Sequence, residues 1–149
     1  MKQNPRALWK CPECEREFAN RNQTHTCAPI RSVDEHFAGK EPHVRALFDA
    51  FVAQLETIGP FRILPEKTRI AFQVRMSFAQ VTPRRTHLDG HLVLAERCEH
   101  PAFRKVETIS KRNHVHHFRL VDASQLTAAF VSFMRDAYKV GCQEHLRRT

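Results

Sequence analysis

Long apolar runs are missing from this 149-residue chain. No segment approaches the roughly 20 consecutive apolar residues that a membrane-spanning helix needs, and the opening Met1-Lys2-Gln3-Asn4-Pro5 lacks the apolar core of a secretory signal. A soluble, cytoplasmic protein with no membrane partner is therefore expected. Glycine is scarce, at 4 residues, and none of them builds a phosphate-cradling loop. A Gly-x-Ser-x-Gly elbow is lacking too, and so is a paired-carboxylate set, since Glu66, Asp89 and Glu107 stand as single acids in basic segments. These absences lean against an enzyme and leave a histidine-based hydrolase of phosphate esters as the enzymatic alternative. Internal repeats, heptad arrays and low-complexity runs are missing as well.

Acidic charge is the minority. Lys and Arg number 24 against 16 Asp and Glu, a net charge of +8, and arginine dominates the cations. Its planar guanidinium suits bidentate contact with phosphate or carboxylate. A long-range field of this sign favours anionic partners, with nucleic acid or another polyanion first among them, and a solvated basic surface is the plainer explanation. The 5 cysteines are odd in number, and Cys11, Cys14 and Cys27 crowd the amino-terminal end near His25. That grouping suits metal binding better than a secreted disulfide framework.

Cys11-Pro12-Glu13-Cys14 is a Cys-x-x-Cys pair, and two intervening residues let a tight turn aim both sulfurs at one tetrahedral ion about 2.3 Å away. His25-Thr26-Cys27 supplies the second pair. Three thiolates and one imidazole leave no open position for water, so Cys11, Cys14, His25 and Cys27 are expected to hold one structural zinc ion. Free thiols, or a Cys11 to Cys14 redox pair, would leave His25 and Cys27 without a reason. Trp9 and Phe18 fall where a two-Cys, two-His finger places apolar residues around its metal, so this segment resembles a zinc finger. The resemblance stops there, because His25 and Cys27 are too close in sequence to face inward from one helix face. Residues 19–24 are also too short for a base-reading helix.

Residues 28–31 read as a linker that closes a minidomain spanning residues 1–31. Ser32 with Glu35 is a capping box opening a short helix that Gly39 ends. Pro42 then opens a longer helix whose Val44, Leu47, Phe48, Phe51, Leu55 and Ile58 keep three-and-four spacing, up to Gly59-Pro60. From Phe61 to about Val121 the period becomes two. In residues 68–78, Ile70, Phe72, Val74, Met76 and Phe78 alternate with Arg69, Ala71, Gln73, Arg75 and Ser77, which predicts one strand with an apolar and a charged face. Further strands are expected near residues 87–95, 105–109 and 114–121. A last helix, capped by Asp122 or Ser124, carries Leu126, Ala129, Phe130, Phe133, Met134, Ala137 and Val140 and ends at Gly141. The expected architecture is α+β: a small zinc module, then over residues 32–141 a two-layer domain of five or six antiparallel strands flanked by helices that cover one sheet face. Residues 142–149 form a basic tail.

From Leu8 to Gly141 the chain resembles a bacterial family catalogued as domain of unknown function 5655. The stretches that carry the resemblance are Trp9-Lys10-Cys11-Pro12 with Phe18-Ala19-Asn20-Arg21-Asn22-Gln23, then Val33-Asp34-Glu35-His36-Phe37-Ala38-Gly39, and Lys67-Thr68-Arg69-Ile70-Ala71-Phe72. It implies a zinc module joined to one α+β domain and supplies no activity. Fusion of similar domains to nuclease-like modules gives a mild hint towards nucleic acid.

Two further groups carry chemistry. Lys67, Arg69, Arg75, Arg84 and Arg85 form the densest basic patch, across which a phosphate-bearing partner could lie. No aromatic platform is interleaved there for stacking bases, so backbone contact is expected rather than sequence reading. In His114-Val115-His116-His117 the first and third histidines share a strand face with Phe118 and Leu120, where they either ligate a metal or border the core, while His117 and Arg119 face the arginines. His116 or His117 joins the patch as a ligand-binding candidate. The leading reading is a binding module for nucleic acid or another polyanion. Its alternatives are a small-ligand or phosphoester-handling domain with a basic, histidine-bearing pocket, and a protein-interaction module with structural zinc.

Overall fold

A computed structural model of the chain describes residues 7–12, 17–18 and 32–144. Of the four expected zinc ligands, Cys14, His25 and Cys27 lie outside the described residues, as do residues 145–149 of the basic tail.

At the amino-terminal end, β1 (Trp9–Lys10) pairs antiparallel with β2 (Glu17–Phe18), Trp9 opposite Phe18 and Lys10 opposite Glu17. A 3₁₀ turn at Asp34–Phe37 follows, with the Ser32 hydroxyl accepting from the Glu35 amide at 3.2 Å. Gly39 takes the left-handed φ of 75° that lets the chain leave this turn. Helix α1 (Pro42–Glu56) starts with proline in its first turn, where a missing amide N–H leaves no helical bond unmade. It buries Val44, Leu47, Phe48, Phe51 and Leu55 along one stripe and ends before Ile58.

Six strands build one antiparallel sheet: β3 (Arg62–Pro65), β4 (Ile70–Gln73), β5 (Ser77–Pro83), β6 (Leu88–Leu94), β7 (Lys105–Ser110) and β8 (Asn113–Leu120). Their spatial order is β3-β4-β5-β6-β8-β7, so neighbours in sequence pair directly except where β8 inserts between β6 and β7. Asp122 and Gln125 close a capping box around a 3₁₀ turn at Ala123–Gln125. Helix α2 (Ala128–Gly141) is capped one step later, by the Thr127 hydroxyl accepting from the Phe130 amide. Both helices lie on one sheet face. Phe51 of α1 meets Phe72 of β4 at 5.4 Å and Phe118 of β8 at 5.7 Å, and Phe130 of α2 meets Phe118 at 5.1 Å between ring centroids. The core sits between those layers, and among the described residues no helix is long and apolar enough to cross a membrane.

One expected strand is two. The alternating run over residues 68–78 breaks after Gln73, and residues 74–76 turn the chain back as β5. No Gly, Pro, Asn or Asp marks this reversal, because its bonds come from distant chain. The Arg75 and Met76 amides both donate to the Gly141 carbonyl at the end of α2, at 2.9 and 3.1 Å, and the Arg62 guanidinium donates to the Val74 carbonyl at 3.1 Å. A helix terminus has carbonyls left over for such donors.

Candidate functional site

Alternation along each strand sends one residue set to the helices and the other to the opposite face. On β6, Leu88, Leu92 and Leu94 are buried towards the helices, which leaves Asp89 and His91 on the opposite face, helix-free among the described residues. On β8, His114, His116, Phe118 and Leu120 are buried, which leaves His117 and Arg119 on that same face. Register then assembles two rows across the sheet. Thr82 stands opposite Asp89 and Asp89 opposite Arg119, while Gln80 stands opposite His91, His91 opposite His117 and His117 opposite Lys105.

These rows floor a concavity of about 450 Å³, rimmed by Arg69, Arg84, Arg104, Lys105 and Arg119 with Asp89 as the lining carboxylate. Asp89 is a hub: Arg119 Nε donates to it at 2.7 Å, Arg84 Nε reaches it at 3.2 Å, and His87 Nε2 lies 3.5 Å away. Partial burial pushes the Asp89 carboxyl up, but the hydrogen bonds from Arg119 and Arg84 outweigh it and hold it below the ordinary value. The bidentate approach of Arg119 fixes its fork beside the basin floor.

The two histidines differ. His117 Nε2 is 2.6 Å from Glu107 Oε1, and that contact, with Lys105 beside it, holds the Glu107 carboxyl low. His91 meets the His117 ring edge-on, with centroids 5.6 Å apart and planes at 75°. Burial first, and then the positive charge of His117 and Arg69, push His91 down to about 4, so its imidazole is neutral at pH 7. Its ring nitrogens have no hydrogen-bond partner among the described residues. Gln80, beside it in the row, has a buried carboxamide oxygen that is also unpartnered among the described residues.

The amino-terminal hairpin occupies the other part of this face. Ala71 and Gln73 point away from the helices yet are 2% exposed, and β2 packs against Gln73: Gln73 Nε2 donates to the Glu17 carbonyl at 2.9 Å, and Arg62 pairs with the Glu17 carboxylate at 2.7 Å. Hairpin and basin thus share one side of the sheet.

Of the residues expected to contact a ligand, Arg69, Arg84, His117 and Arg119 come together at the basin. Four do not. Lys67 and Arg85 are exposed outside its lining. Arg75 leaves the sheet face because the chain has already turned, and its guanidinium donates to Gln143 Oε1 at 2.9 Å. His116 belongs to the core: its Nδ1 bonds the His114 carbonyl at 2.8 Å and its Nε2 accepts from the Cys98 amide at 2.9 Å. One nitrogen donating and the other accepting fixes a neutral ring, in keeping with the downward push that burial gives it. His114 is held likewise, by Thr108 and the Lys111 carbonyl, so neither histidine is turned towards a metal. Among the described residues no group of His, Cys, Asp or Glu is arranged to hold a metal ion, three of the four expected zinc ligands lying outside them. Sequence reading missed His91, Gln80, Arg104 and Lys105. Strand parity would have shown His91 facing away from Leu92, but its pairing with β8 skips β7 in chain order.

Comparison with family models matches residues 33–141 to the family described as Domain of unknown function (DUF5655). That span is more than half of the chain, and the chain belongs to this family. Neither the curated proteins nor the solved structures returned a match.

Proposed function

We propose that this member of the family is a binding protein for nucleic acid or a similar phosphate-bearing polyanion, which lies over the helix-free sheet face. The observation that carries this reading is the convergence of five cations from the β4, β5, β7 and β8 regions on one concave floor. Phosphate contacts by Arg and Lys supply affinity without reading sequence, and among the described residues the floor bears no Phe, Tyr or Trp ring for stacking apart from the flank of Phe118. Some of the positive charge is already engaged, Arg69 with Glu66 and Arg84 and Arg119 with Asp89. Arg104 is not, its side chain having no partner among the described residues, and it is the first contact expected.

The amino-terminal module adds to the same surface. Cys11 follows β1 directly and is 4% exposed, and in the sequence the Cys-x-x-Cys pair falls between the paired strands β1 and β2, the order that a metal-holding ribbon uses. Cys11, Cys14, His25 and Cys27 would hold one structural zinc ion and thereby fix the ribbon that Glu17 anchors to the sheet. One zinc per chain is expected by elemental analysis of reduced protein, and none would remove this part of the reading.

Salt titration tests the whole. Each phosphate neutralised steepens the fall of log affinity with log salt, by about 0.7 on a single strand and 0.9 on a duplex. Fluorescence anisotropy with labelled oligonucleotides should give a slope of about −3 or steeper. A flat response, or no binding at low salt, rejects the reading.

A further inference from the structure

We propose that the basin is a catalytic site for cleavage of single-stranded RNA by internal transesterification, with His91 as general base and His117 as general acid at one phosphate bound over the basin floor. The inference rests on the polyanion reading and names its substrate and reaction.

Geometry comes first. Two imidazoles stand on adjacent strands, ring centroids 5.6 Å apart and nearly perpendicular. Their environments are unlike, and unlike environments assign unlike proton roles. Glu107 grips Nε2 of His117 at 2.6 Å, which orients that ring. Facing His91 are the cations Arg69 from the start of β4, Lys105 from β7 and Arg119 from β8, with the Gln80 carboxamide from β5 and the carboxylates Asp89 on its own strand and Glu107 on β7. Burial first, and then the neighbouring positive charge, keep His91 neutral and able to accept a proton, and an incoming phosphate offsets the part that the positive field contributes.

The reaction balances within the substrate. His91 takes the proton of a ribose 2′-hydroxyl as that oxygen attacks the adjacent phosphorus, forming a P–O2′ bond. The P–O5′ bond breaks, and His117 gives its proton to the departing 5′-oxygen. One strand ends in a 2′,3′-cyclic phosphate, the other begins with a 5′-hydroxyl, and exchange with water resets both rings. Lys105 and Arg119 lie where they meet the negative charge that grows on the non-bridging oxygens. The buried, unpartnered Gln80 oxygen calls for a donor that a bare phosphate diester lacks and a ribose hydroxyl or base N–H supplies. Because the nucleophile is the 2′-hydroxyl, an otherwise identical deoxy strand binds but does not react.

The test incubates the full chain with an end-labelled single-stranded RNA and its all-deoxy counterpart, with no added divalent cation, and follows both binding and product ends. Wild-type protein is expected to bind both strands and to cut RNA alone, leaving cyclic-phosphate ends. His91→Gln and His117→Gln each lower the cleavage rate about 100-fold or more when measured at saturating RNA, so that any loss of affinity is separated from the loss of the chemical step. His117→Asn repeats the test should the glutamine variant melt early. RNA that is bound yet left intact overturns the inference and leaves the binding reading standing, as does cleavage that persists in the histidine variants or extends to the deoxy strand. Binding of neither strand overturns both.

Discussion

Reversing two of the rim cations together, Arg69→Glu with Arg104→Glu, is expected to weaken oligonucleotide binding about 100-fold or more near 0.15 M salt. Each side chain changes from attracting a phosphate to repelling it, and the salt slope should fall by about 1 to 2 as the two contacts disappear. Both residues are exposed, and Arg69 engages only an exposed partnership with Glu66, so the fold should be unaffected. The comparison that separates site from net charge is Arg135→Glu with Lys139→Glu on the exposed side of α2, the same charge change on the other layer. That pair should leave affinity within about threefold. Equal losses in the two double variants, measured by anisotropy, would mean that the overall charge of +8 attracts nucleic acid and the basin does not.

Gly90→Ala is expected to reduce stability by about 3 kcal/mol, because this residue is where the core presses closest to the site. A β-carbon there would stand 2.5 Å from the Phe118 ring and 2.7 Å from the Gln80 backbone carbonyl. The carbonyl cannot swing aside without breaking the pairing of β5 with β6. The ring is equally confined, lying between Phe51 and Phe130. Crowding on both sides pushes β6 away from β5 and displaces Asp89 and His91, the residues on either side of Gly90. A drop in melting temperature of about 10 °C is the expected reading. A variant melting within 2 °C of the parent would show that β6 and Phe118 are not packed this closely. Gly39 has open space where a side chain would go, and its constraint is backbone φ alone, so substitution there should be milder.

How far the sequence could be read divides along the line between local and distant causes. The stripe of α1, from Val44 to Leu55, was legible because helical spacing is written within the segment. The same holds for α2, although Thr127 rather than Asp122 or Ser124 provides its cap and Asp122 caps the short turn before it. Strand parity gave the correct faces for His114, His116, His117 and Arg119, and the core reading of His116 prevailed over its place among ligand candidates because both of its nitrogens are bonded inside. The break between β4 and β5 was not legible. Val74, Arg75 and Met76 continue the alternating pattern, and the instruction to turn comes from the Gly141 carbonyl, distant in sequence.

The site was legible in part for the same reason. Arginine density pointed to Arg69 and Arg84 and strand parity to His117 and Arg119, which the basin brings together. Neither could show that Lys67, Arg75 and Arg85 stand outside the basin, or that Arg104 and Lys105 join it, because those depend on where strands end. His91 is marked locally only by strand parity, facing away from Leu92. It becomes notable only when β8 inserts beside β6 and brings His117 and Glu107 against it.

Chemical-shift mapping with a non-cleavable all-deoxy oligonucleotide tests most directly whether a phosphate-bearing partner lies on the helix-free face. Backbone and side-chain resonances of Gln80, His91, Arg104, His117 and Arg119 should move on titration, while those of the solvent-exposed residues of α1 and α2 stay in place. Perturbations concentrated on the helices, or none anywhere at low salt, would contradict the account.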